Sequence, residues 1–278
     1  MLVDDVVLLA CPETHHPLHW QGTNLEGVLQ DGVLVCAETG VAWQVGDRLP
    51  RLVRELPRDA SRARLLRMHD AAPRLHDPLL RLLLPAMGSS TEGVHRNTAL
   101  ERLDLHSDLG DRPRILEVGV GVGASLPLLA RRLAAHEDAE LWGVDASAGM
   151  LVEAQRRLDR HSAGPLSVVR LVLADPSRLP FRDGAFDRVL HLGGLASFAD
   201  PARALAEMAR VARAGAPIVV VQASPAAGAP SGPAAMLARR LLPPPPDADL
   251  ATLAPPGATD VQVDRLDPLF VALRFSAP

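Results

Sequence analysis

The sequence predicts an α/β protein with a Rossmann-like, mostly parallel seven-stranded sheet, a carboxyl-terminal antiparallel hairpin and a small amino-terminal β-rich unit. Three observations support this prediction. Short apolar runs alternate with amphipathic segments between residues 114 and 221, a glycine-rich turn follows the first of these runs, and the first 55 residues hold β-like runs separated by glycines. Repeated βα units indicate a parallel sheet that helices cover on both faces.

The amino-terminal unit, residues 1–55, is predicted from β-like runs at 6–9, 32–36 and 41–45. It also carries two C-x-x-T turns, Cys11 with Thr14 and Cys36 with Thr39. These turns resemble the two knuckles of a zinc ribbon, in which each knuckle is C-x-x-C. Threonine is a poor zinc ligand, so we expect a degenerate, metal-free ribbon. The alternatives are a zinc site that combines both cysteines with two of three nearby histidines and a disulfide between the cysteines. Those histidines are His15, His16 and His19.

The main domain is predicted over residues 111–278, after a helical segment at 56–110. Parallel strands are expected at 114–118, 140–144, 168–173, 186–191 and 217–222, and helices at 126–133, 149–158 and 201–211. A loop rich in Ala and Pro follows at 224–256, and two runs at 261–263 and 269–275 predict the terminal hairpin.

Composition excludes several classes of chemistry. All 29 basic residues are Arg, and the chain has no Lys and no Tyr, so a Lys Schiff base, a P-loop Lys and a Tyr acid or base are ruled out. A net charge of -4 disfavours nonspecific nucleic-acid binding. The sequence has no membrane-length apolar run of about 20 residues. Since the first residues lack the features of a signal peptide, we expect a cytoplasmic protein.

A glycine-rich turn and three acids are the main functional signal. Gly119, Gly121 and Gly123 follow the first predicted strand, where glycine lets a ligand approach the backbone beside a helix amino terminus. Glu117 lies inside that strand, where a buried carboxylate needs a hydrogen-bond donor. Asp145 and Asp175 follow the next two strands, so all three acids face one crevice at the carboxyl edge of the sheet. Ordinary helix capping is the alternative for the two aspartates.

These motifs resemble class I S-adenosylmethionine-dependent methyltransferases, most of all the ubiquinone/menaquinone-biosynthesis C-methyltransferase branch. The segments that carry the resemblance are 116–123, 143–151, 174–181, 186–194 and 207–215. The resemblance implies that the glycines pass the methionine portion of S-adenosylmethionine and that Glu117 supports its ammonium group. Asp145 would hold the ribose, Ala146 would lie against adenine, and Asp175 would accept from the adenine amino group. His191 and Leu192 would line the sulfonium and substrate side.

One position departs from the family pattern. Where the family commonly uses a backbone N–H to bond adenine, this chain has Pro176, which has no N–H. This departure motivates a second hypothesis, a catalytically degenerate partner subunit. The ribbon and the Arg-rich segment 51–67 motivate a third, ribosomal-RNA base methylation. Asp145 and the relaxed G-x-G-x-x-A pattern also allow an NAD(P)-dependent oxidoreductase, but that class explains neither Glu117 nor Asp175.

The favoured interpretation is methyl transfer to a small, apolar or aromatic acceptor. His191 is the candidate catalytic base, because histidine titrates near neutral pH. His69 and His76, each followed by Asp, are weaker candidates in a segment that covers the substrate pocket in related enzymes. The leucine-rich run 79–87 is expected either to line that pocket or to pack on the sheet. The sequence leaves a homodimer open.

Overall fold

The computed structural model describes residues 1–54, 92–106, 109–136, 138–160, 169–224, 250–267 and 269–278. Most of the predicted helical segment at 56–110 lies outside these ranges. The same is true of His69, of His76, of the run 79–87 and of most of the loop at 224–256. The domain boundaries drawn from the sequence at residues 55 and 110 therefore stay predictions.

Eleven strands and four helices make up the described part of the chain. The strands are β1 (Leu18–Leu25), β2 (Val28–Cys36), β3 (Ala42–Gly46), β4 (Leu49–Leu52), β5 (Arg114–Val118), β6 (Glu140–Asp145), β7 (Val169–Ala174), β8 (Arg188–Leu192), β9 (Pro217–Ala223), β10 (Thr259–Arg265) and β11 (Phe270–Ser276). The helices are α1 (Glu92–Arg102), α2 (Leu126–Arg132), α3 (Ala148–Asp159) and α4 (Pro201–Val211). Short 3-10 helices span Asp4–Leu8, Leu195–Ser197 and Leu250–Leu253.

All eleven strands belong to one mixed sheet, in the order β1-β2-β3-β4-β7-β6-β5-β8-β9-β11-β10. The run from β7 to β10 has the predicted seven strands. Its five βα strands are parallel, and β11 runs antiparallel to both β9 and β10, which confirms the terminal hairpin. The predicted size of the sheet was wrong, because the amino-terminal strands extend it from seven strands to eleven.

The junction between the two parts is the parallel pairing of β4 with β7, in which Arg51 and Leu52 pair with Leu173 and Ala174. Without β4, β7 would be an edge strand with unpaired backbone groups. A buried ion pair strengthens the junction, because Arg170 on β7 donates to both carboxylate oxygens of Asp5, at 3.0 and 3.1 Å. Asp5 belongs to a 3-10 helix, so the predicted strand at 6–9 was also wrong.

The two faces of the sheet have separate apolar cores. One core combines α1, α2 and α3 with side chains such as Ile115, Leu141 and Leu171. The other combines α4 and the amino-terminal strands with the opposite side chains of the same strands, such as Leu116 and Trp142. Successive side chains of a strand point to opposite faces, so strands buried on both sides are apolar throughout. This packing fixes the carboxyl edge of the sheet, where the predicted site residues lie. No helix in the described ranges is long and apolar enough to cross a membrane.

Candidate functional site

The conformation of the glycine turn after β5 is fixed by its backbone torsion angles and by hydrogen bonds to β6. Gly119, Gly121 and Gly123 all have positive φ, at 73°, 55° and 69°, a conformation that strains other residues. The N–H groups of Gly119 and Val120 both donate to the Val144 carbonyl at the end of β6, at 2.7 and 3.0 Å. The turn is therefore tied to the second strand of the site.

The three glycines have different surroundings. A Cβ at Gly123 would lie 2.9 Å from Leu126 Cδ1, so this glycine allows α2 to pack closely. A Cβ at Gly119 would lie 3.1 Å from Nδ1 of His191. At Gly121 a Cβ would meet no heavy atom within 4 Å among the described residues. The turn is thus open to a ligand at Gly121 and filled on either side of it.

Asp145, the last residue of β6, bonds to the glycine turn. Its Oδ2 accepts from the Gly121 N–H at 2.8 Å, and its Oδ1 accepts from the Ser147 N–H at 2.9 Å. The cap of α3 is Ser147, whose hydroxyl accepts from the Met150 N–H. The capping alternative for Asp145 is therefore not what the structure shows. The carboxylate is half-buried beside the open glycine, with Ala146 next to it.

Glu117 is buried in β5, and its donor is the Ser125 hydroxyl, which lies 2.6 and 2.5 Å from the two carboxylate oxygens. Burial raises the pKa of Glu117 to about 7, and the charge of Asp145 adds to this effect. The Ser125 hydrogen bond and the charge of Arg96 act in the opposite direction. Near neutral pH this carboxyl therefore changes charge easily, and a nearby cation would favour the ionised form.

His191, on β8, is fully buried between the glycine turn and Phe198, with the two ring centroids 4.7 Å apart. Its Nδ1 lies 2.7 Å from the Val118 carbonyl oxygen. Because a carbonyl only accepts, Nδ1 carries the hydrogen and donates it, and Nε2 of the neutral ring is an acceptor. Burial lowers the pKa of His191 to about 4, although the bond to Val118 opposes this shift. Leu192 follows at the end of β8 and is half-buried.

Asp175 directly follows β7 and is half-buried, and its Oδ1 accepts from the Ser177 N–H at 2.8 Å. Pro176 between them is buried and offers no N–H. The next N–H in the turn, that of Ser177, is already bonded to Asp175 itself. In register, Asp145 pairs with Leu173 on β7, which places Asp175 two residues further along the neighbouring strand.

The predicted residues therefore meet at one edge of the sheet. The glycine turn bonds to Asp145 and adjoins His191, Glu117 lies two residues before the turn on β5, and Asp175 follows the adjacent strand. Sequence reasoning required a donor for Glu117 but did not identify Ser125. The available signal was a polar residue eight positions later, at the start of α2.

Each C-x-x-T turn is closed by a backbone hydrogen bond to its cysteine carbonyl. The His15 N–H donates to the Cys11 carbonyl at 2.8 Å, and the Gly40 N–H donates to the Cys36 carbonyl at 3.0 Å. Both cysteines are buried free thiols, which contradicts the disulfide alternative. His16 pairs with Glu38 and His15 lies 3.9 Å from Glu207. Among the described residues, no group of three or more His, Cys, Asp or Glu side chains is arranged to hold a metal ion. The structure therefore gives no support to a zinc site that combines both cysteines with two histidines.

Part of this core is similar to known methyltransferases. The family model described as "Methyltransferase domain" matches residues 116–220. The chain is 37% identical over 108 residues to a phosphatidylethanolamine N-methyltransferase of Cereibacter sphaeroides, covering 39% of this chain and 49% of that protein. It is 37% identical over 112 residues to a demethylmenaquinone methyltransferase of Thermus thermophilus, covering 40% and 48%. The chain thus spans about half the length of these curated relatives.

Solved structures show the same fold. A S-adenosylmethionine-dependent methyltransferase from Aquifex aeolicus matches with a TM-score of 0.51 at 16% identity, covering 75% of this chain and 98% of that one. Phosphoethanolamine N-methyltransferase 2 of Haemonchus contortus, solved with S-adenosyl-L-methionine, matches with a TM-score of 0.56 at 16% identity, covering 83% and 61%. At this identity the likeness establishes the Rossmann-like methyltransferase fold.

Proposed function

We propose that this chain is a S-adenosylmethionine-dependent methyltransferase that acts on a small, apolar or aromatic acceptor. The observation that carries the proposal is the bond between Asp145 and the Gly121 N–H, because it places a carboxylate beside the one open glycine of the turn. The methyltransferase domain match covers this site. A dinucleotide-dependent oxidoreductase is disfavoured, because the family model and the relatives described above are all methyltransferases.

The residues fit the parts of this cofactor. Glu117, which is buried and accepts from the neutral Ser125 hydroxyl, would hold the ammonium group of the methionine portion. The Asp145 carboxylate would exchange its backbone partners for the two ribose hydroxyls. The other carboxylate oxygen of Asp175, Oδ2, would accept from the adenine amino group, and Ala146, Pro176 and Leu192 would pack against the cofactor. Since residue 176 has no N–H and the Ser177 N–H is bonded, we expect adenine to be held mainly by Asp175.

The cofactor, when bound, supplies an electrophilic methyl group for an in-line displacement. The chain's own contribution is to orient the acceptor and to exclude water. His191 is better suited to orient than to act as a base, because burial lowers its pKa to about 4 and its proton is fixed on Nδ1. Both relatives described above carry names with lipophilic acceptors, demethylmenaquinone and phosphatidylethanolamine. Their names support an apolar acceptor for this chain.

Calorimetric titration with S-adenosylmethionine and S-adenosylhomocysteine tests the proposal directly, and we expect saturable binding of both. Asp145→Ala should weaken binding by about tenfold or more, since it removes charge-assisted hydrogen bonds. Asp159→Ala removes an equally charged but exposed side chain from the end of α3 and should leave affinity unchanged. Binding of a nicotinamide dinucleotide in place of either ligand would overturn the proposal.

A second candidate is a catalytically degenerate partner subunit, which the Pro176–Ser177 arrangement favours. This candidate predicts that S-adenosylhomocysteine binds weakly or not at all and that cell extract supports no methyl transfer. Transfer of a labelled methyl group in extract, lost in Asp145→Ala, would eliminate it.

We also propose that the amino-terminal unit is a degenerate zinc ribbon. Its support is the backbone bonding of the two C-x-x-T turns, which is retained although two sulfur ligands are replaced.

A further inference from the structure

Two fully buried side chains on neighbouring strands each have one hydrogen-bond acceptor without a partner among the described residues. They are His191 on β8, through Nε2, and Gln222 on β9, through Oε1. Their exposed fractions are 0% and 1%. Leaving a buried acceptor unsatisfied is costly, so a pair of them needs an explanation.

The strand register places both side chains on one face of the sheet. His191 pairs with Val220 across β8 and β9, and Gln222 follows Val220 by two residues. Side chains alternate along a strand, so His191, Val220 and Gln222 point the same way. Both acceptors lie toward the carboxyl ends of their strands, and His191 adjoins Gly119 of the glycine turn.

The hydrogen bonds that the two side chains already make define the role of the two remaining acceptors. His191 donates from Nδ1 to the Val118 carbonyl at 2.7 Å, so Nε2 can only accept. Gln222 donates from Nε2 to the Ala223 carbonyl at 3.1 Å, so its Oε1 is the atom left over. The structure therefore presents two neutral acceptors, together with the second amide hydrogen of Gln222.

The surroundings of the pair are apolar. Val118, Val220 and Val271 belong to the same buried cluster, and Phe198 packs on the His191 ring. An ammonium group brought here would meet two neutral acceptors in apolar surroundings, and burying an unpaired charge costs more than burying a neutral hydroxyl or amine. The chemistry therefore favours a neutral donor on an apolar body.

We propose that His191 and Gln222 together bind a neutral O–H or N–H group of the methyl acceptor and so orient the acceptor toward the glycine turn. This inference rests on the proposed methyltransferase function and adds Gln222, on β9, as a specificity-determining residue. Acceptors that lack such a hydrogen would leave both buried atoms unsatisfied and would be rejected.

A matched pair of probes, phenol and toluene, tests the inference on the full chain saturated with S-adenosylhomocysteine. The probes have nearly the same shape and differ by a hydroxyl group. Gln222→Met keeps the side-chain volume and removes the acceptor. We expect it to weaken phenol binding by about fivefold to tenfold and to leave toluene binding unchanged or tighter, as judged by NMR titration. His191→Phe should change the phenol-to-toluene ratio in the same direction and serves if Gln222→Met does not fold.

Gln155→Met is the control, because Gln155 is an exposed glutamine on α3 and its replacement should leave both affinities unchanged. An unchanged phenol-to-toluene ratio in Gln222→Met, or no saturable phenol binding by the wild type, overturns the inference. Tighter binding of benzylammonium than of phenol overturns the preference for a neutral group. Normal binding of S-adenosylhomocysteine in those experiments leaves the proposed function intact, whereas its absence in the wild type contradicts both proposals.

Discussion

The glycine turn and the two amino-terminal C-x-x-T turns are motif-bearing regions of one sheet, and they differ in the chemical groups that they carry. Around Gly121 both the backbone and the chemical groups are present, with Glu117 and Asp145 in contact with their donors. In the C-x-x-T turns the backbone bonds of Cys11 and Cys36 are present, but each turn has a threonine hydroxyl where a C-x-x-C turn has its second sulfur. A turn is formed by its backbone hydrogen bonds and its apolar neighbours, so its shape does not require metal ligands.

The two regions also differ in how they balance buried charge. The amino-terminal unit joins the main domain through the complete ion pair of Asp5 and Arg170, at 5% and 8% exposure. Beside the glycine turn, Glu117 accepts from the Ser125 hydroxyl, and its burial raises its pKa to about 7. A region that only has to hold together satisfies its charges internally. We interpret the incompletely compensated charge of Glu117 as a position for a ligand's cation.

Removing the ion pair should have the largest effect on this contrast. Asp5→Ala leaves the Arg170 guanidinium and the Leu2 N–H without the carboxylate that binds them. We expect the free energy of unfolding to fall by about 3–5 kcal/mol, as for other broken buried pairs, measured by urea denaturation. Asp4→Ala removes an exposed neighbour of the same charge and should cost far less. Equal losses in the two variants would show that the pair does not hold the junction.

The charge state of Glu117 should produce the next largest effect. Between pH 4.5, the ordinary pKa, and about 7, the folded protein keeps a proton that the unfolded chain has released. The free energy of unfolding should therefore decrease by roughly 3 kcal/mol as pH rises through this window, and this contribution should be constant above it. Glu117→Gln should lack this decrease and be the more stable protein at pH 8.

Stability measured across pH in wild type, Glu117→Gln and Glu101→Gln provides the comparison. Glu101 is exposed on α1, so its replacement should leave the pH profile unchanged. If Glu117→Gln followed the wild-type profile, the titrating group would be another residue. Cofactor affinity in the wild type should rise with pH over the same window, because the ionised carboxylate binds the ammonium group.

The smallest expected change in stability comes from replacing the threonine of each C-x-x-T turn with cysteine. Thr14 Oγ1 lies 3.5 Å from Cys36 Sγ, close to the spacing of about 3.8 Å between sulfurs that share a tetrahedral zinc ion. Burial acts to raise the pKa of Cys36, but hydrogen bonds from Thr39, Thr14 and Glu38 outweigh it and lower the pKa to about 6. Thr14→Cys with Thr39→Cys should alter metal-free stability by less than about 1 kcal/mol and create a site for one zinc ion per chain.

Elemental analysis after dialysis against zinc measures that gain. The same two substitutions in a chain that also carries Cys11→Ser and Cys36→Ser should bind no zinc, which separates a four-sulfur site from adventitious binding. If Thr14→Cys with Thr39→Cys bound no zinc, the four cysteine side chains would not lie close enough together to share one metal ion. The glycine turn and the C-x-x-T turns would then differ in backbone geometry as well as in side-chain chemistry.

Much of the main domain was predictable because its signals are local. The strand at 114–118 and the helix at 201–211 were predicted with the bounds that the structure shows, since buried strands are apolar throughout and α4 has a clear apolar stripe. Strand β1 was missed because only its first residue, Leu18, is buried, and an exposed strand has no alternation to detect. The 3-10 helix at Asp4–Leu8 was mistaken for a strand because short apolar runs have no distinguishing period.

By itself the sequence determined the fold class, the order of the βα units, the glycine turn and the three acids, since each depends on residues close together in the chain. Tertiary structure alone decided that β4 extends the sheet, that Ser125 is the donor to Glu117, and that His191 and Gln222 share one face of the sheet. These facts depend on pairing between segments from about 8 to more than 100 residues apart. Long-range register follows from the packing of two apolar cores, and no local pattern encodes it.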